Sequence, residues 1–281
     1  MSADIKQIKN RIKSVDSTLH ITKAMKLVAS SKIHRAESKF RSVAVYADAL
    51  YDTIGRVVSK ECLSNPFVTP INPDAPVLYI VIAADRGLAG SFNGNVNRLL
   101  ESEIAGKECF DVLPIGKRIC EYAGRKKYSR PLSFRSSEHI TEDETAKLIS
   151  FVTDSFREGK YSAVYIIGTK YKNVLTQNAE VKPLLPIPLS PESKDSLIQY
   201  EPGIETVMKY ALPMYIGSII RSSVAESLLS EQYARRNAMD SASKNADEMI
   251  EKLSLSYNRA RQNTITQEIT EIVAGANAET V

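Results

Sequence analysis

Two long segments of this chain contain neither glycine nor proline, and this feature limits the possible folds more than any other. The first segment runs from Ser2 to Ile54, and the second follows Gly217 and continues to Gly275. Glycine and proline are the residues that most weaken or end a helix. Each segment is therefore predicted to form one uninterrupted helix, and the first would be about 80 Å long.

The first segment carries one continuous apolar stripe. Its positions are separated alternately by three and four residues, and fourteen of the sixteen are apolar, the exceptions being Thr22 and Lys26. A repeat of this kind holds one face of a helix toward a partner and predicts a left-handed coiled coil. We call these positions the N-terminal seam: Ile5, Ile8, Ile12, Val15, Leu19, Thr22, Lys26, Ala29, Ile33, Ala36, Phe40, Val43, Ala47, Leu50, Ile54 and Val57.

The second segment has a weaker stripe of small side chains, which let two helix axes approach closely. The predicted positions are Ala234, Ala238, Ala242, Ala246, Met249, Leu253, Ser256 and Ala260. An antiparallel pair of the two helices is favoured because the middle of the chain joins the end of one to the start of the other. A homodimeric coiled coil is the alternative. The second helix is expected to extend past the first and to end in an apolar tip that needs a socket.

The middle of the chain alternates short apolar runs with helical patterns. "VLYIVIAAD", "CFDVLPIG", "YSAVYIIGTKY" and "EVKPLLPIPL" are predicted strands, and "NVNRLLESEI", "KRICEYAG" and "TEDETAKLISFVTDSFREG" are predicted helices. This order predicts a small α/β domain with a mainly parallel sheet. Proline-rich linkers flank it, so we divide the chain into residues 1–60, 75–195 and 206–281.

Composition excludes several classes of function. The net charge of +4 is too small to favour nucleic acid by itself. Residues 1–41 hold seven Lys and three Arg against two Asp and one Glu, but no aromatic residue precedes Phe40. Nucleic-acid binding surfaces of this kind usually combine such cations with aromatic side chains. No run is long enough to span a bilayer, and the first residues are not expected to be a secretory signal, because they lack an apolar stretch. The Cys and His spacings match no metal site.

Four stretches carry a resemblance to a known family. They are "ITKAMKLVASSKIHRAE", "ADRGLAGSFNGNV", "SLLSEQYARRNAMDSASKNA" and "RQNTITQEITEIVAGANA", in this order along nearly the whole chain. Together they resemble the gamma subunits of F-type ATP synthases, of the bacterial type. The resemblance implies an antiparallel two-helix coiled-coil shaft, formed by the N- and C-terminal segments, on a central Rossmann-like α/β domain.

The resemblance also implies partners and a function. The shaft would lie inside a ring of alpha and beta subunits, and the base, with the epsilon subunit, would rest on the membrane c ring. The subunit would couple ion-driven rotation to ATP synthesis or hydrolysis at the catalytic ring. It would hold no catalytic site, cofactor or metal, bind no nucleic acid and touch the membrane only through the c ring. The expected location is the cytoplasmic face of a bacterial plasma membrane, as a peripheral protein.

Specific contacts carry over with the resemblance. Next to an acidic loop of the beta subunits we expect Lys23, Met25 and Lys26, with Met25 facing outward and Lys26 leaving the seam toward acidic groups or water. Arg235 would lie near the same region. A loop of the catalytic ring would bind Arg261, Gln262 and Thr266. Ile269 and Ile272 belong to the apolar tip. These nine residues are the predicted subunit interface.

Two other interpretations remain open. Gly87, Gly90 and Gly94 lie between a predicted strand and a helix, where phosphate groups often bind. The chain could then be a nucleotide-binding α/β enzyme with a coiled-coil dimerisation arm, although the spacing matches neither common phosphate-binding motif. A purely structural coiled-coil adaptor is the other alternative.

Overall fold

A computed structural model describes residues 3–57, 65–187, 201 and 203–279. Its elements, in chain order, are α1 (Ala3–Val57), β1 (Val77–Ile82), α2 (Phe92–Ile104), β2 (Phe110–Ile115), α3 (Lys117–Arg125), α4 (Glu142–Arg157), β3 (Ala163–Tyr171), β4 (Gln177–Leu185) and α5 (Ile204–Glu279). Both long helices are thus confirmed. Parts of the two predicted proline-rich linkers, residues 58–64 and 188–200, lie outside the described residues.

The four strands form one mixed sheet in the order β2-β1-β3-β4. β1 pairs in parallel with β2 and with β3, while β3 and β4 form an antiparallel pair. The mainly parallel sheet is therefore confirmed. Side chains alternate along β1, and the two sets of residues enter different apolar clusters.

Helices cover both faces of this sheet. Leu78, Ile80 and Ile82 belong to a cluster that also contains residues of α1, α4 and α5. Tyr79 and Val81 belong to a second cluster with residues of α2 and α3. Burial on both faces explains why the strand reads as an unbroken apolar run in the sequence.

The chain divides into two compact units, each of which holds a part of both long helices. One unit consists of Met1–Ala29 with Arg236–Val281, and the other of Ser30–Arg235. In the first unit the helices are antiparallel: the hydroxyl of Ser243 donates to that of Thr22 at 2.8 Å. The ammonium of Lys26 lies 2.6 Å from the Asp240 carboxylate.

All sixteen positions of the N-terminal seam are buried or half-buried. The predicted seam of α5 is partly wrong, because Met249 is 43% exposed and Ser256 is exposed. After Ala246 the predicted row takes its steps of three and four residues in the reverse of the observed order, so Met249 and Ser256 each fall one residue before a contact position. In the first unit the observed C-terminal seam alternates steps of four and three residues and consists of Met239, Ser243, Ala246, Ile250, Leu253, Tyr257, Ala260 and Thr264.

In the second unit α1 and α5 also pack against each other and against the α/β elements. Ile33 of α1 shares a cluster with Leu229 and Tyr233 of α5, and the ring of Tyr51 lies 6.3 Å from that of Tyr215. α5 begins before the uninterrupted segment that starts after Gly217, since Pro213 and Gly217 both lie within the helix.

Candidate interaction surfaces of the long helices

A polar layer interrupts the otherwise apolar contact between the helices of the first unit. Thr22 is buried, donates its hydroxyl to the Leu19 carbonyl and accepts a hydrogen bond from Ser243. Its position in the seam is therefore not a gap, because a buried hydroxyl with both kinds of partner carries little desolvation penalty. The layer favours one register, because the hydrogen bond from Ser243 to Thr22 forms only when the two residues are opposite each other.

Two of the predicted interface lysines contact aspartates of the same chain. Lys26 pairs with Asp240 at 2.6 Å, and Lys23 lies 3.6 Å from Asp247. Hydrogen bonds from Lys26 and from Lys244 hold the pKa of Asp240 below its ordinary value. Lys26 thus has an acidic partner on α5, while its predicted contact with an acidic loop of another subunit stays a prediction. Both lysine side chains remain about half exposed.

Beside this layer α1 exposes a set of large apolar side chains. Ile21, Leu27 and Val28 are 60%, 71% and 58% exposed, whereas Met25 is less exposed and half-buried. The three exposed residues were visible in the sequence as apolar residues off the seam, yet Met25 was the one apolar residue of α1 in the predicted interface. An apolar surface on a helix of this kind is the usual mark of a contact with another protein.

Arg235 lies in the second unit and is 8% exposed. One terminal nitrogen pairs with the Glu231 carboxylate at 2.7 Å, and the other donates to the Gly87 carbonyl oxygen at 3.3 Å. Burial raises the pKa of Glu231, while Arg235 opposes that rise. Sequence reasoning placed Arg235 in a contact between subunits and gave no signal of these two contacts within the chain.

The last turns of α5 present the remaining predicted residues to the outside. Every described side chain from Ile265 to Ala274 is exposed, and so are Arg261 and Gln262. Large apolar residues contribute to this tip: Ile265, Ile269, Ile272 and Val273.

The glycine-rich loop between β1 and α2 is held by contacts from the chain itself. The Asn93 side chain accepts the Ala84 backbone N–H at 3.0 Å, and Gly87 gives its carbonyl to Arg235. Gly90 has φ +58°, a conformation that glycine adopts without strain. The conformation of the loop around Gly87 and Gly90 is therefore held by contacts within the chain.

Asp85 organises the same loop. Its carboxylate accepts hydrogen bonds from the hydroxyl of Ser136 at 2.9 Å and from the backbone N–H groups of Ser137, Glu138 and Lys117 at 2.9, 3.3 and 3.2 Å. Burial alone would raise the pKa of this carboxyl group, but these hydrogen bonds bring it below its ordinary value. Asp85 therefore joins the loop after β1 to residues 136–138 and to the start of α3.

In the part of the chain that the structure describes, no group of three or more His, Cys, Asp or Glu side chains could hold a metal ion. None of the helices described is long and apolar enough to cross a membrane.

Comparison with known proteins places these surfaces in a family context. The family model described as ATP synthase matches residues 4–278. The "ATP synthase gamma chain, sodium ion specific" of Acetobacterium woodii is 36% identical over 300 residues, covering 99% of each chain. The "ATP synthase gamma chain" of Ruminococcus albus is 39% identical over 282 residues, covering 96% of each.

Solved structures share the fold at low sequence identity. A rotor chain of the Euglena gracilis mitochondrial ATP synthase superposes with a TM-score of 0.66 at 15% identity, over 93% of this chain and 99% of that one. A chain from the central stalk and c ring of the Tetrahymena thermophila mitochondrial enzyme gives 0.61 at 23% identity, over 79% and 99%.

Proposed function

This chain belongs to the gamma subunits of F-type ATP synthases, and from that premise we propose how its own residues form and use the central stalk. Gamma subunits link the rotor to the catalytic ring, so the partners are the alpha and beta subunits, the epsilon subunit and the c ring. In this proposal α1 and α5 form a left-handed antiparallel coiled coil that transmits torque. The observation that carries it is the alternation of three- and four-residue steps in both seams.

The division of labour follows the predicted segments. Residues 1–60 and 206–281 would form the shaft, and residues 75–195 a Rossmann-like base. The base would contact epsilon and the c ring at the cytoplasmic face of the bacterial membrane. A shaft needs stiffness rather than reactive groups, and a long apolar seam without glycine supplies it. We therefore assign no catalytic site, cofactor or metal to this chain.

The proposed mechanism is mechanical and rests on asymmetry. A single shaft inside a ring of three catalytic subunits presents a different face to each of them. Contacts that differ between conformational states shift the populations of those states, and so change nucleotide affinity at each site. As the shaft turns, each catalytic subunit meets each face in sequence.

We propose two regions of contact with the catalytic ring. The first contains Lys23, Met25 and Lys26 with the exposed apolar residues around them, facing an acidic loop of the beta subunits. Because both lysines stay half exposed, an outside carboxylate can share them with Asp240 and Asp247. In the second region Arg261, Gln262 and Thr266 would bind a ring loop, and Ile269 and Ile272 would fill an apolar socket.

The alternative is a nucleotide-binding enzyme, and calorimetry with the purified chain separates the two functions. We expect titration with Mg-ATP to give no saturable heat and the isolated chain to release no phosphate. The physical reason is that Asn93 and Arg235 already engage the backbone of the glycine-rich loop. Saturable binding by wild-type chain that is lost when Gly87 is replaced by Val would instead support the enzyme.

The apolar tip of α5 is predicted to supply binding energy. Changing Ile269 and Ile272 together to Asn should raise the dissociation constant for the isolated alpha/beta ring by about tenfold or more, since each buries its side chain in the socket. Glu268→Asn with Glu271→Asn is the matched control, because its helix penalty is at least as large and it removes no apolar surface. Equal affinities of the two double variants would contradict the socket.

A further inference from the structure

The turn between β3 and β4 exposes two large apolar side chains at its tip. β3 ends at Tyr171 and β4 begins at Gln177, and these two residues are paired in the sheet. Between them, Leu175 is 81% exposed and Val174 is 40% exposed. Hairpin turns are usually built from Asn, Asp, Gly, Ser or Pro, each of which favours a turn conformation. The turn itself therefore does not require a Val-Leu pair at its tip.

The backbone of this turn is held by the side chain of Asn173. Its Oδ1 atom accepts the backbone N–H of Leu175 at 2.9 Å and that of Thr176 at 2.8 Å. The backbone N–H of Asn173 donates to the Thr176 carbonyl at 3.2 Å, and the Gln177 amide donates to the Asn173 carbonyl at 3.0 Å. Leu175 is thus presented on a preformed turn, and a partner that binds it loses little free energy in ordering the loop.

The strands that carry the turn are fixed to α5. The rings of Tyr171 and Tyr233 are stacked with their centroids 5.0 Å apart. The Glu226 carboxylate accepts the backbone N–H of Tyr171 at 3.2 Å, and the Ser230 hydroxyl donates to the Thr169 carbonyl at 3.2 Å. The hairpin therefore moves together with this part of α5.

The hairpin lies at the end of the second unit where both long helices continue into the first unit. Tyr171 packs against a cluster that includes Ile33 of α1 and Tyr233 of α5. These two residues are close in sequence to Ala29 and Arg236, where the helices enter the first unit. In the proposed function the shaft points into the catalytic ring, so the c ring would meet the opposite end of the second unit.

The charges beside the apolar tip are mainly positive. Lys170 and Lys172 lie 3.5 and 4.0 Å from the same carboxylate, that of Glu180. Two cations thus share one acidic group, which leaves positive charge next to the tip. A partner surface with acidic groups around an apolar pocket would complement it.

We propose that Val174 and Leu175, the tip of the β3–β4 hairpin, dock into an apolar pocket with an acidic rim on the epsilon subunit. This inference rests on the shaft function proposed above. The choice of partner follows from rotation, because a lasting apolar contact must join parts that turn together. A contact with the alpha or beta subunits would have to open during every turn and would oppose rotation. The epsilon subunit, which would rest on the c ring with the base, turns with the hairpin.

The first test measures binding of purified epsilon subunit to the complex of this chain with alpha and beta subunits. Leu175→Ser should raise the dissociation constant for epsilon by about tenfold or more, because it removes the apolar tip. Hydrolysis by the epsilon-free complex and its melting temperature should not change. Ile71→Ser is the matched control, since Ile71 is also a loop residue and is 60% exposed. Unchanged affinity in Leu175→Ser, or an equal loss in both variants, would overturn the proposal.

A photoreactive side chain identifies the partner directly. Benzoylphenylalanine replaces Leu175 in the complete ATP synthase, and hydrolysis and ion uptake are measured before and after irradiation. We expect a cross-link to epsilon with both activities retained, because the joined subunits turn together. A cross-link to alpha or beta, with loss of hydrolysis, would overturn the proposal. A wild-type chain that binds neither epsilon nor the alpha/beta ring would instead count against the shaft function itself.

Discussion

Replacement of Gly116 by alanine is expected to lower the free energy of unfolding by about 3–5 kcal/mol. Gly116 follows β2 with φ +111°, where residues with a side chain are strained. A Cβ atom there would lie 2.0 Å from the Ala83 carbonyl oxygen, at the end of the neighbouring strand β1. Neither strand end can easily move, because Ala83 donates to Ile115 and Gly116 donates to Phe134 through their backbone N–H groups.

Urea unfolding followed by circular dichroism measures this loss directly. Gly94→Ala is the matched control, because Gly94 lies within α2 and its added Cβ would meet no heavy atom within 4 Å. Alanine favours a helix over glycine, so that variant should be unchanged or up to about 1 kcal/mol more stable. Equal stability of the Gly116 and Gly94 variants would show that the close approach between the two strands has been misjudged.

Removal of the Asp85 carboxylate should be the second most damaging change. Asp85→Ala leaves the N–H groups of Ser137, Glu138 and Lys117 without their acceptor, and we expect a loss of about 3 kcal/mol. The stability of Asp85→Asn should lie between those of the wild type and of Asp85→Ala, since the amide keeps one accepting oxygen. Thermal unfolding at neutral pH would rank the three proteins, and an Asn variant as damaged as the Ala variant would contradict this order.

The same carboxylate makes a pH-dependent contribution with a definite sign. Its pKa in the folded protein lies below the ordinary value of 3.8. The stability it confers is therefore present above that value and is lost as the pH falls through the lower, folded pKa. The difference in stability between wild type and Asp85→Ala should be constant near neutrality and shrink below pH 3.8. A difference that persists unchanged in acid would show that hydrogen bonding to the charged form is not its source.

The sequence predicts repeating structure well because periodicity is a local property. Both long helices and the N-terminal seam follow from spacing, including the buried position of Thr22. The seam of α5 was misplaced only in part: Ala246, Leu253 and Ala260 lie in the observed contact row, but the other predicted positions of the first unit each lie one residue before it. With few large apolar residues to mark the face, composition alone could not separate two adjacent rows.

Contacts between distant segments are the part that local patterns do not contain. Arg235 and Gly87 are 148 residues apart, and neither residue type signals the other. The sequence also does not indicate the hydrogen-bond donors around Asp85, since Ser136 and Ser137 look like ordinary loop residues. Lys26 was expected to find an acidic group, but its partner Asp240 could be named only once the register of the helices was known.

The pairing of Thr22 with Ser243 has a consequence for how the chain is made. These residues are 221 positions apart, so the part of α1 around Thr22 has no partner helix until nearly the whole chain has been synthesised. At about 5–20 residues per second, this interval lasts roughly 10–40 s. During that time the apolar stripe in this part of α1 is available to any other apolar surface in the cell. The first part of the molecule to leave the ribosome is thus among the last to be paired, and its early protection must come from outside the chain.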